Sequence, residues 1–362
     1  MKYNKAFISA YVAGNLGDDL FIDVLCRRYP NVQFFILGSN KYKSYFSEIE
    51  NLSYIGFNHY VSKIINRIEV FYFIMHFIIS RFIKLNILVT GSIFEERGDY
   101  RKNMRKKKYN TSFFKDVYYL SCSMGEYKNE SFINECKTVF SNVRDVCFRD
   151  SYSYDLFKDM SNIRVESDLI FQLQYDMKQP ENYIVISVID LESRDRLSSF
   201  EKEYLDKLRD IIIGLINDGK RIVLMGFCEN ERDHVGIEKL IKLLPEKYKS
   251  STSVYMHDSI KGSLETLAKS SGVIATRFHS FVLAYVMNKP MYNIIYSSKT
   301  KNAINDLGNN IPNININQID DLSISDVISA LQSQPEYANN KLIPSSKNQF
   351  MFLNKVLETN AD

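Results

Sequence analysis

A chain of 362 residues has room for two cores of ordinary size, and 45% apolar with 25% charged residues is a globular composition rather than a disordered or fibrous one. Its 46 basic and 43 acidic side chains leave a net charge of +3, too small by itself to argue for nucleic acid, and no nucleic-acid motif supports the idea, so no nucleic-acid partner is expected. Five cysteines (Cys26, Cys122, Cys136, Cys147, Cys228) are odd in number and never spaced as CxxC, which fits reduced cytoplasmic thiols and neither a disulfide framework nor a metal site.

The opening MKYNKAFISAYVAGNLGDD holds no long apolar region and no cleavage signal, so a cytoplasmic location is expected. In chain order, apolar strand patterns at 6–12, 32–37, 87–90, 117–121, 143–148 and 163–165 alternate with helical patterns such as 18–28, 131–140 and 151–160. Among them, residues 70–79 read VFYFIMHFII, interrupted by His76 and bounded by Glu69, Arg81 and Lys84. The run is about half of the ~20 residues a spanning helix needs, so a helix buried in the core is one reading. A peripheral membrane face, at the inner side of the cell membrane, is the other. Lys63, Arg67, Arg81 and Lys84 flank the run, and RKNMRKKK at 101–108 adds six positive charges. Charge runs are usually solvated loops, which ranks the membrane reading second.

Periodicity fails over 168–182, around Pro180, the best linker candidate. Strand patterns resume at 183–189, 221–226, 253–256, 273–275 and 291–295, with helices at 200–217, 232–243, 260–269 and 279–287. The Asn-rich stretch 302–317 reads as loop, and 319–331 and 347–357 as closing helices. Alternation of this kind implies α/β domains with parallel sheets. The economical arrangement is two Rossmann-like domains facing a cleft: 1–170, a linker at 171–182, 183–335, and a closing helix and tail at 336–362.

One stretch stands out for chemistry. Residues 273–280, VIATRFHS, form a short apolar strand that stops at Arg277 and His279. In open α/β sheets ligands bind at the carboxyl edge of the strands. Arginine offers a planar fork for carboxylate or phosphate, and histidine carries a proton near neutral pH. A small anion that undergoes chemistry fits there, although a structural ion pair at a strand end is the plain alternative for Arg277.

Other candidates are less specific. Gly14, Asn15, Gly17 and Asp18 make a tight strand-to-helix turn that lacks the third glycine of a dinucleotide fingerprint and the lysine of a P-loop. Asp18 as a helix cap needs no function; otherwise the turn lines the cleft. Gly91 and Ser92 either start a helix or offer backbone amides to an anion. The acidic run 229–233 reads as a solvated helix start, and Asp190 and Glu192 are unassigned.

Several motifs in order resemble the polysaccharide pyruvyl transferase family. They are Gly14-Asn-Leu-Gly-Asp18, Ile87-Leu-Val-Thr-Gly91-Ser-Ile-Phe94, Cys147-Phe-Arg149-Asp150-Ser-Tyr-Ser153, Glu166-Ser-Asp168-Leu-Ile-Phe171, Phe227-Cys-Glu-Asn-Glu-Arg-Asp233 and Ala275-Thr-Arg277-Phe-His279-Ser, followed by Ala284, Pro290, Tyr296-Ser-Ser-Lys299-Thr-Lys-Asn302 and Asp306-Leu-Gly308. Two departures, Thr90 for a usual glycine and Met124-Gly125-Glu126 for a usual Gly-Pro, touch the first-domain loops and leave Arg277-Phe278-His279 intact.

The resemblance implies a GT-B-like pair of domains, the second binding the donor and the first the acceptor. The implied activity transfers a pyruvyl group from phosphoenolpyruvate to two sugar hydroxyls of a polysaccharide or lipid-linked precursor, releasing phosphate. Phosphoenolpyruvate is then a co-substrate, and no cofactor or metal is expected. Arg277 and Phe278 fall to donor binding and His279 to proton transfer, with phosphate binding or helix capping as its rival roles. Lys299, in a loop past the next strand, would neutralise the departing phosphate, with Lys301 as its competitor. Arg149 would reach across the cleft, while Asp150 caps the next helix. Asn15, Gly17, Asp18, Gly91 and Ser92 fall to the acceptor or cleft loops. The alternatives are a nucleotide-sugar glycosyltransferase and a non-catalytic glycan-binding protein of the same fold. Acceptor sugar and oligomeric state carry no sequence signal.

Overall fold

The computed structural model describes residues 2–58, 60–61, 68–96, 98–176, 178–194, 196–307, 311–333, 335, 337 and 342–357. Lys63, Arg67 and Gly308 lie outside these residues. The chain divides into two compact units: Met1–Ala13, Asp18–Gln172 and Asn339–Asp362 form the first, and Gly14–Gly17 with Leu173–Ala338 the second. Two segments therefore fall elsewhere than chain order implies. The turn before the first helix groups with the second unit, and the closing segment with the first.

The first unit is built on parallel strands β1 (Lys5–Ser9), β2 (Gln33–Ser39), β3 (Leu52–Phe57), β4 (Leu85–Val89), β6 (Asp116–Met124), β7 (Asp145–Phe148) and β8 (Ile163–Val165), in the order 3-2-1-4-6-7-8. A short β5 (Ser92–Phe94) pairs with β6. Helices are α1 (Leu16–Arg28), α2 (Glu69–Phe82), α3 (Tyr100–Phe113), α4 (Glu130–Phe140) and α5 (Ser151–Asp155). Acidic Asp18 and Asp19 in the first turn of α1 and Arg27 and Arg28 in its last complement the helix dipole. The basic run 101–108 is helical, not a loop: the Asp99 carboxylate accepts from the Lys102 amide and caps α3. The core is aromatic, with the Phe140 ring 4.8 Å from Phe94 and 4.9 Å from Phe157 between ring centres. One departure concerns α2, which is not a core helix; its outward half is exposed.

The second unit holds β9 (Tyr183–Ser187), β10 (Arg221–Gly226), β11 (Thr252–Met256), β12 (Gly272–Ala275), β13 (Met291–Ile295) and β14 (Asn313–Asn315), all parallel, ordered 11-10-9-12-13-14. Its helices are α6 (Glu201–Asn217), α7 (Asp233–Leu243), a short α8 (Glu246–Lys249), α9 (Ile260–Ala268), α10 (Phe278–Val286), α11 (Ser298–Asp306) and α12 (Ile324–Gln332). Here the core is aliphatic, with Ile184, Ile186, Leu208, Ile212 and Leu224 fully or almost fully buried. The Asn-rich stretch is not a loop throughout. It carries the end of α11 and all of β14, where Ile314 and Ile316 alternate with Asn313, Asn315 and Asn317 and put their side chains into or against the core. Closing helix 319–331 is instead a 3₁₀ turn (Ile316–Asp321) followed by α12, which Ser323 caps through the Asp326 amide.

The closing segment, expected as one helix over 347–357, forms α13 (Leu342–Asn348) and a 3₁₀ turn (Leu353–Lys355) in the first unit. Gln349 is fully buried there. Its Oε1 accepts from the Ser121 amide at 3.0 Å, and its Nε2 donates to the carbonyls of Phe148, Glu166 and Ser167. Ser121 sits at φ 54°, where the β6–β7 register shifts, so the glutamine satisfies the backbone at an irregular point of the sheet.

Candidate active site

In each sheet the strand order reverses once, between β1 and β4 in the first and between β9 and β12 in the second. The carboxyl ends of such neighbouring strands leave a crevice where ligands of α/β sheets bind. Arg277, Phe278 and His279 follow directly from the end of β12.

The turn after β12 is fixed from below. Ser187, at the end of β9, accepts from the amides of Thr276 and Arg277 at 2.8 and 3.1 Å. Arg277 stands at the N-cap position of α10 in extended conformation, and its side chain is 8% exposed. Its guanidinium is bidentate on Asp233, with Nε 3.1 Å from Oδ2, and its NH1 edge pairs with Glu231. The acidic run is therefore not a solvated helix start. Asp233 is fully buried at the start of α7, where it also accepts from the amides of Phe227 and Cys228 at 2.9 and 3.0 Å. Burial raises its carboxyl pKa against the opposing pull of Arg277.

Glu231 links the cluster outward. It accepts from Arg194 at 2.9 Å and from the Asn15 amide group at 3.1 Å. Burial would push its carboxyl up, but Arg277 and then Arg194 overcome this and hold it at about 2. The Arg194 guanidinium also lies 5.2 Å from the centre of the Tyr296 ring. Asp190, left unassigned from sequence, is fully buried and gripped by Arg232 at 2.7 Å and Lys239 at 2.8 Å.

His279, half-buried in the first turn of α10, faces the Gly14–Gly17 turn. A β-carbon on Gly17 would lie 1.7 Å from its Nδ1, so only glycine lets the ring occupy that place. The turn is held by a backbone bridge between Asn15 and Cys228 and by the Leu16 amide donating to Phe227 O at 3.1 Å. Asn15 and Gly17 accordingly stand with the arginine–histidine cluster of the second unit. Asn15 Oδ1, not Asp18, accepts from the Gly17 amide at 3.1 Å; Asp18 lies inside α1 and receives the Thr90 hydroxyl at 3.1 Å. Lys299 is in the first turn of α11 rather than a loop, and is half-buried where Lys301 is exposed.

In the first unit, Ser92 begins β5 instead of starting a helix, and its hydroxyl lies 2.8 Å from that of Ser123. Arg149, expected to reach the donor, pairs with Asp168 at 2.8 Å and with Ser123 at 3.3 Å, both within its own unit. Its guanidinium lies against Gly91, where a β-carbon would stand 3.0 Å from NH2. Asp150 caps α5 through the Ser153 amide at 2.8 Å. Sequence reasoning missed Glu231, Asp233 and Arg194. The first two lie over forty residues from Arg277, and no local pattern marks the pairing. All five cysteines are buried and unlinked, and burial pushes the Cys228 thiol up to about 12, which disfavours a nucleophilic thiolate. Among the described residues no group of three His, Cys, Asp or Glu side chains could hold a metal ion.

Among solved structures, the UDP-GlcNAc 2-epimerase of Methanocaldococcus jannaschii, crystallised with UDP-GlcNAc and UDP, is 13% identical, with 97% of this chain and 99% of that one covered and a TM-score of 0.62. The S. aureus MnaA–UDP structure is 10% identical, covers both chains fully and has a TM-score of 0.62. At such identities the likeness shows the fold, a GT-B-like α/β architecture with two parallel sheets. No curated protein matches the chain. The family model of polysaccharide pyruvyl transferases matches residues 15–298, from the turn beside His279 to the start of α11. With the greater part of its length matched, the chain belongs to the polysaccharide pyruvyl transferase family.

Proposed function

We propose that the protein transfers the pyruvyl group of phosphoenolpyruvate to two hydroxyls of one sugar in a glycan precursor, forming a cyclic ketal and releasing phosphate. The observation that carries this reading is the Arg277–His279 pair at the strand-order reversal of the second sheet, inside the stretch matched by the family.

In this reading His279 gives a proton to the methylene carbon, which becomes the methyl group. The adjacent carbon gains cationic character, shared with its oxygen. One hydroxyl of the sugar attacks it, the C–O bond to phosphate breaks, and the second hydroxyl closes the ring. Of the two hydroxyl protons, one restores His279 and the other leaves with phosphate. Gly17 sets where the imidazole stands, and a positioned acid of this kind contributes ~10²–10⁴-fold.

Arg277 keeps Asp233 as its permanent partner and offers its NH1 edge to the donor carboxylate or phosphate. Glu231 occupies that edge as an anion, so donor binding exchanges one carboxylate for another. Arg194, freed from Glu231 by that exchange, and Lys299 supply the positive charge that a phosphate requires.

Calorimetry with phosphoenolpyruvate and with nucleotide sugars tests the donor. Binding of phosphoenolpyruvate, weakened in Arg194→Ala, supports the reading. Binding of a nucleotide sugar and none of phosphoenolpyruvate overturns it in favour of a glycosyltransferase.

A further inference from the structure

One face of the first unit is apolar and uncovered. Along α2, Val70, Phe71, Ile74, Phe77, Ile78 and Phe82 are between 46% and 81% exposed. Their spacing of three and four residues puts them on a single stripe. The rest of the helix packs inward: Asn110 of α3 donates to the Tyr72 hydroxyl at 2.9 Å, Phe73 lies 4.1 Å from Tyr109, and His76 meets Phe7 edge-on at 5.4 Å. The apolar sequence of α2 is thus used twice, once against the unit and once facing outward. A contiguous exposed patch of large apolar side chains marks an interaction surface.

The surrounding charge selects the occupant. Arg81 falls on the stripe itself, its guanidinium 5.0 Å from the centre of the Phe77 ring, and Lys84 follows directly after the helix. Together α2 and α3 carry one carboxylate, Glu69, against seven lysines and arginines, and Glu69 is already paired with Arg105 at 2.7 Å. A second copy docked through the same stripe would bring two such basic sets face to face. A lipid surface with anionic headgroups meets both demands, phosphates for the cations and an acyl layer for the stripe. Length sets the mode. Fourteen residues make a helix of about 21 Å, short of the ~30 Å hydrocarbon core, and no described helix is long and apolar enough to cross a membrane.

We propose that α2 is an interfacial helix that docks the first unit flat on an anionic lipid surface, with Arg81 and the exposed Arg101 and Arg105 of α3 on headgroup phosphates. The inference stands apart from the donor chemistry and does not depend on it.

Co-sedimentation of the full chain with phosphatidylcholine vesicles, with and without phosphatidylglycerol, tests it. The protein is expected to pellet with the anionic vesicles, less so as salt rises. The variant Phe71→Ser/Ile78→Ser/Phe82→Ser alters outward-facing side chains of the stripe and is expected to bind at least about tenfold more weakly with little change in melting temperature. Arg81→Glu is expected to weaken binding at low salt and little at high salt. Equal binding of the triple variant, no binding to either vesicle, or a solution dimer that the triple variant dissociates would each overturn the proposal.

Discussion

Arg149 and Arg277 invite comparison, because each follows the carboxyl end of a parallel strand and each has a side chain almost wholly buried against carboxylate. Arg149 pairs with Asp168, also 3% exposed, and donates to the Ser123 hydroxyl within the same unit. Arg277 is shared between fully buried Asp233 and a second carboxylate, Glu231, which itself divides its oxygens between Arg194 and Asn15. A buried one-to-one pair leaves an uncompensated charge when either member is lost. A cluster with one exchangeable member can admit an outside anion while the other keeps the arginine in place.

Several changes would break or sharpen that contrast. His279→Ala is expected to lower kcat by ~10²–10⁴-fold while phosphoenolpyruvate still binds, as read by phosphate release beside calorimetry. A matching loss of binding would assign His279 to the phosphate instead. At the Arg149–Asp168 pair, Arg149→Ala strands a buried carboxylate and should cost about 3–5 kcal/mol of stability, measured from urea midpoints. The double variant Arg149→Met/Asp168→Leu should recover much of that loss.

Acid separates the two units. Burial holds His76 neutral down to about 4 from its ordinary 6.5, so the unfolded chain binds that proton first and stability falls as pH drops from 6.5 to 4. The full window is worth about 3 kcal/mol, and His76→Leu should flatten it. Glu231 has the opposite charge type: its depressed pKa adds stability that is complete above 4.5 and is lost only as pH falls towards 2. The first unit should therefore soften at a pH where Glu231 is still ionised on Arg277, which hydrogen exchange at pH 5 would reveal. Gly17→Ala pushes the His279 ring aside and is expected to reduce kcat about 10²-fold with little change in donor affinity. Glu231→Gln should tighten phosphoenolpyruvate binding by about tenfold, the smallest of these effects.

Strands that are buried on both faces were legible. The patterns at 221–226 and 291–295 coincide with β10 and β13, because continuous apolar runs bounded by polar residues, Gly or Pro have few other uses. Half-exposed elements were not. β3 mixes Ser, Tyr and Gly with its apolar residues, and β14 hides in an Asn-rich stretch that is read for its composition rather than its alternation. The exposure of α2 escaped for a similar reason, since an all-round apolar helix reads as core. Arg277, His279 and Gly17 were found as candidates by the sequence alone. Their arrangement was not, because it rests on contacts between residues far apart in the chain, such as Arg277 with Asp233 and His279 with Gly17, that no local period encodes.

Gln349 also sets an order of events during synthesis. The sheet of the first unit is translated early, yet the amide of Ser121 and the carbonyls of Phe148, Glu166 and Ser167 find this partner only after the whole second unit has emerged from the ribosome. Until then the nascent first unit carries an unfinished seam, and a chain stopped before α13 would keep it open.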